Sequence, residues 1–122
     1  DYGIKITASG LVYAEEVQNW AKEMATLMPK TNDNFFMLID ARGLKPMPEE
    51  ASDIITLLEK EITKMGLIRA AYIVDNPLTK AQLVRISHRA GLYEIKRFID
   101  VQSDSKFEQT AMDWIIQGIE PD

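Results

Sequence analysis

The chain has 122 residues, 46% hydrophobic and 27% charged, with 14 Lys and Arg against 19 Asp and Glu for a formal net charge of −5. This is the size and balance of one globular domain over residues 1–122, and it argues against a disordered or fibrous chain. The acidic balance repels phosphate backbones and makes nucleic acid an unexpected partner, the lack of cysteine excludes disulfides and Cys-ligated metals, and a lone His88 excludes a multi-His site.

No apolar run approaches the roughly 18 residues that span a bilayer. Asp1–Leu11 lacks the charged start and apolar centre of a signal peptide, so a cytoplasmic location is expected. The chain starts on Asp1 rather than Met, as a trimmed or excised piece would.

Ile4 to Thr7 alternates apolar and polar, the pattern of a strand with one buried face, and Ser9-Gly10 turns the chain. From about Tyr13, Val17, Trp20, Ala21, Met24, Leu27 and Met28 recur at helical spacing until Pro29 stops the helix, and residues 30–34 form a polar connection. Phe35 to Ile39 has no polar interruption, as expected of a strand covered on both faces, and Asp40 ends it.

After the loop Ala41–Met47, Pro48 is expected at the first helical position, with Glu49 and Glu50 complementing the helix dipole. Ala51, Ile54, Ile55, Leu58, Ile62 and Met65 mark the apolar stripe of this helix, and Gly66 reads as its C-cap. Ile68–Val74 is a second apolar strand. Asn76-Pro77 and a Thr79-x-x-Gln82 capping pattern announce a third helix ending at Gly91. Glu94–Ile99 mixes polar and apolar residues as an edge strand does. Ser105 with Glu108 reads as a capping box for a last helix that ends at Gly118. The expected class is α/β, with a mostly parallel sheet of four to five strands, four main helices and crossovers too long for hairpins.

Ligands of such sheets sit at the carboxyl ends of the strands, which directs attention to Asp40, Asp75 with Asn76, and Asp100. Three carboxylates on one rim suit Mg²⁺ or a phosphoryl group, but Asp is also a favoured turn residue, and the structural reading is preferred. Arg42, Gly43 and Lys45 suit an anion cradle at a helix start, although Glu49 and Glu50 oppose an anion there. Arg85, His88 and Arg89 share one helix face, with Arg97 expected nearby, and form a candidate docking point for an acidic partner or lipid headgroup. Trp20, Trp114, Tyr13, Tyr72 and the methionines are packing residues by spacing; exposure of Met47 beside Tyr13 or Leu44 would favour an apolar ligand pocket. No nucleotide-binding glycine motif is present, and no cofactor is expected.

The runs MLIDARG, MGLIRAAYIVDN, RAGL, EIKRFID and AMDWI, in this order, resemble those of the SpoIIAA-like proteins, distant relatives of STAS domains in anti-sigma factor antagonists and sulfate transporters. The resemblance covers nearly the whole chain. It implies a β-α superhelix and a non-enzymatic role binding protein partners or small apolar or anionic ligands. STAS antagonists carry a phosphorylatable hydroxyl where this chain has Lys45-Pro46-Met47-Pro48-Glu49, and the nearest hydroxyl is Ser52. The leading expectation is therefore a protein-interaction or regulatory module, acting on an unknown partner or as a homodimer. The alternative is a carrier of a small apolar or lipid-like ligand, similar to CRAL-TRIO carriers, and Mg²⁺-dependent chemistry ranks below both.

Overall fold

The computed structural model describes residues 3–27 and 34–121. The chain runs β1 (Gly3–Thr7), α1 (Ala14–Leu27), β2 (Phe35–Asp40), α2 (Glu49–Lys64), β3 (Leu67–Val74), α3 (Pro77–Arg89), a 3₁₀ turn (Tyr93–Ile95), β4 (Lys96–Asp100) and α4 (Phe107–Gln117). The expected stop at Pro29, the stripe position Met28 and connection residues 30–33 lie outside the described residues.

All three strand pairings are parallel and the order is β1-β2-β3-β4, so the sheet has four strands with the long apolar run in its interior. Every crossover steps one strand in the same direction. Crossovers of one hand that all step the same way place their helices on one face. Accordingly Val17 and Met24 of α1, Ala51 and Ile62 of α2, and Leu83 and Ile86 of α3 share a core with Met37, Ile39, Ala70, Tyr72 and Val74. The alternate strand residues Leu38, Ala71, Ile73 and Ile99 face α4 and pack on Ala111, Trp114 and Ile115. Both faces of β2 and β3 are thus covered, which is why these strands read as continuous apolar runs.

Several expected caps are made by other residues. Pro48 precedes α2 as its N-cap rather than opening the helix, and Met65 is the C-cap with Gly66 following at φ 115°. Asn76 caps α3, its Oδ1 accepting from the N–H groups of Leu78 at 2.9 Å and Thr79 at 3.3 Å. Thr79 and Gln82 are buried instead and bond to Leu44 and Met47 in the loop between β2 and α2. Ser105 makes no cap for α4; Asp104 Oδ1 accepts from Lys106 N–H at 2.9 Å and forms the turn, and the helix begins at Phe107. Tyr93–Ile95 coil tightly before β4, so the strand starts at Lys96 and not at Glu94, and it lies at the sheet edge as its mixed pattern indicated.

The carboxyl end of α4 is tied down by two arginines from the sheet. Arg69 donates to the carbonyls of Ile115 at 3.0 Å and Ile116 at 3.2 Å, groups that a helix end leaves without intrahelical partners. Arg97 makes a two-pronged pair with Glu120 at 2.7 Å per bond while lying 4.0 Å over the Trp114 ring. Replacing Arg69 by Ala should lower unfolding stability by about 1–2 kcal/mol in urea titrations, with Trp114 fluorescence following the same transition.

Candidate functional site

The loop between β2 and α2 is held from two sides. Ala8 N–H donates to the Asp40 carbonyl, Gly10 N–H to the Gly43 carbonyl and Lys45 N–H to the Gly10 carbonyl, which laces the loop to the turn after β1. From α3, Thr79 Oγ1 donates to the Leu44 carbonyl at 2.7 Å, while Gln82 donates to the Met47 carbonyl at 2.8 Å and accepts from Met47 N–H at 2.7 Å. These are buried backbone groups that water cannot serve.

The strand-end aspartates act within this loop system. Arg42 grips Asp40 with bonds of 2.9 and 2.6 Å, and this hydrogen bonding holds the buried Asp40 carboxyl below the usual range. Asp75 accepts from Gly43 N–H at 3.0 Å, and Asp100 Oδ1 accepts from Gln102 N–H at 2.9 Å. Among the described residues no three His, Cys, Asp or Glu are gathered for a metal ion. The same bonds engage two members of the expected anion cradle, Arg42 and Gly43, and leave Lys45 exposed to solvent. Gly43 needs its glycine for a φ of 81°.

The basic helix face is dispersed among separate contacts. Arg89 pairs with Asp53 at 2.9 Å, His88 stacks on Tyr93 with ring centroids 4.2 Å apart, and Arg85 is exposed. Arg97 belongs to the α4 side of the sheet and does not join them. Ser52 is 1% exposed, which puts its hydroxyl beyond the reach of a kinase.

Of the residues weighed from the sequence as an apolar pocket, Trp20, Tyr72 and three methionines border a cavity of about 290 Å³ between the sheet and the helices α1 and α2. Ile6 of β1, Met37 and Ile39 of β2, Trp20 and Met24 of α1, Ile55, Leu58 and Ile62 of α2, and Leu44 and Met47 of the loop line it. Met47 is buried rather than exposed and Tyr13 is not in the lining; the exposed Lys5, Thr7 and Glu23 border the pocket, which is a cleft open to solvent. Trp114 lies in the opposite layer.

At the inner end of this wall stand Glu59 and Tyr72, and Lys96 lies against both. Lys96 Nζ contacts Glu59 Oε1 and donates to the Tyr72 hydroxyl at 3.1 Å, and the Tyr72 hydroxyl donates to Glu59 Oε1 at 3.4 Å. Phe98 stacks on Tyr72 at 5.0 Å between centroids and shields the group. Burial pushes the Lys96 amine down to about 7 and raises the Tyr72 hydroxyl. The touching Glu59 carboxylate favours the ammonium and works against that fall.

A signal for these residues exists in the sequence. Glu59 falls four residues after Ile55 and three before Ile62, which places a carboxylate inside the apolar stripe of α2, and Lys96 sits two residues before Phe98 on one strand face. No family model, curated protein or solved structure matches the chain.

Removing one partner leaves a buried charge alone, so Lys96→Met should cost about 3–5 kcal/mol and a second change, Glu59→Met, should recover most of it. Between about pH 7 and the ~10.4 of a free lysine, the unfolded chain holds a proton that the folded cluster has released. Stability of the natural sequence relative to the double variant should therefore rise with pH across that window, as read by urea midpoints at pH 7, 8 and 9 (about three points spanning the window).

Proposed function

We propose that the protein is a binding protein for a small, largely apolar ligand held in the cavity between the sheet and helices α1 and α2. The observation that carries the reading is a cavity of about 290 Å³ with mostly apolar walls and a few polar residues, Lys5, Thr7, Glu23, Glu59 and Tyr72, in its lining. Ligand sites commonly combine these two features, and the volume stands near the lower end of their range. It is about twice that of an apolar cavity that takes up benzene. Three methionines, Met24, Met37 and Met47, give the wall side chains that adjust to an occupant.

A second reading, the interaction or self-association module expected of a STAS-like domain, draws support from the repeated strand-helix order and from the exposed Leu11, Tyr13, Leu57 and Leu78. A concentration-independent monomer in sedimentation equilibrium would count against self-association.

The three wall methionines also supply the test. With ¹³C-methyl methionine, n-octane should shift the Met24, Met37 and Met47 signals in a saturable way and leave Met65 and Met112, which lie outside the cavity lining, in place. Leu58→Trp, from a half-buried wall position, should fill the space and weaken that binding by about tenfold or more without lowering the unfolding midpoint. Absence of any shift in the three wall methyls would sink the reading.

A further inference from the structure

The buried cluster gives both Lys96 and Tyr72 an acceptor and leaves one acceptor over. Lys96 Nζ meets Glu59 Oε1 and the Tyr72 hydroxyl, and that hydroxyl donates to Glu59 Oε1. Glu59 Oε2 is fully buried and has no hydrogen-bond partner among the described residues, although Glu59 as a whole is only 5% exposed. A buried carboxylate oxygen accepts strongly and is rarely left without a donor in a native structure. Glu59 also forms part of the cavity wall, and a turn of its carboxyl group toward the cavity brings Oε2 within reach of a donor on an occupant.

Resting on the reading of that cavity as a ligand site, we infer that its ligand is an uncharged alcohol of about ten non-hydrogen atoms, whose hydroxyl donates to Glu59 Oε2 while its apolar body lies along the methionine wall. The alternatives meet specific obstacles. An ether, ester or ketone brings only acceptors and so offers Glu59 Oε2 no hydrogen. A carboxylate would set a second negative charge against Oε2. An ammonium would have to leave water for a wall of mostly apolar side chains. Among these groups the hydroxyl supplies a donor without a charge.

The test compares 1-octanol, octanoate and n-octane by the Met24, Met37 and Met47 methyl shifts, in the natural sequence and in Glu59→Met/Lys96→Met. That double variant removes Oε2 together with its counter-ion and keeps the wall apolar. Octanol should bind about 10- to 100-fold more tightly than octanoate in the natural sequence. The double variant should lose about tenfold or more in octanol affinity while its affinity for n-octane, which reports an intact cavity, stays the same. Octanoate binding as well as octanol, or octanol affinity unchanged in a double variant that still takes up n-octane, would overturn the alcohol assignment and leave the cavity reading standing. Failure of all three probes to move the wall methyls would remove both.

Discussion

Glu59, Tyr72 and Lys96 meet beneath the sheet, and their contact ties α2 to β3 and β4 through groups that cannot be left alone in a core. An isolated buried charge costs far more than a mispacked methyl, so neither α2 nor β4 can slide without exposing or stranding its partner. The constraint positions α2 toward the β3–β4 half of the sheet. Space under β1 and β2 is then left to α1, and that is where the cavity lies, with Ile6, Met37 and Ile39 on one side and Trp20 and Met24 on the other. Buried ion pair and cavity are two consequences of one placement.

The loop from Ala41 to Met47 contributes rigidity rather than chemistry. Its carbonyls and amides are taken by Gly10, Thr79 and Gln82, and its flanking carboxylates by Arg42 and Gly43. These bonds hold Leu44 and Met47 inward as part of the cavity wall. On the other face, Arg69 and Arg97 secure α4 against the sheet and keep Trp114 packed, its indole N–H donating to the Ala70 carbonyl at 3.0 Å. One layer is thus closed and the other holds a cleft that opens toward Lys5, Thr7 and Glu23.

Most of the architecture was legible because it depends on patterns along the chain. The uninterrupted run Phe35–Ile39 identified an interior strand, and helical spacing placed α1, α2 and α4 within a residue or two. Capping was legible only in part. Thr79-x-x-Gln82 has the spacing of a capping box, yet Asn76 stands nearer the helix start and frees both side chains for the loop carbonyls, a choice that only the tertiary contacts decide. The rim aspartates drew attention by their shared position at strand ends, and each turned out to hold a backbone turn or an arginine. Glu59 and Lys96 escaped notice for the opposite reason. They lie 37 residues apart by their numbers (96 − 59), each looks like an ordinary solvated charge, and only the packing of α2 over β3 and β4 brings them together.

The account turns on whether Glu59 Oε2 receives a donor from a molecule in the cavity. A crystal structure of the protein grown with 1-octanol addresses this directly. The expected result is an alcohol oxygen about 2.7 Å from Glu59 Oε2, with the alkyl chain running along Met24, Met37 and Met47. A cavity that stays closed to octanol, with Glu59 Oε2 turned to a donor from its own chain, would contradict it.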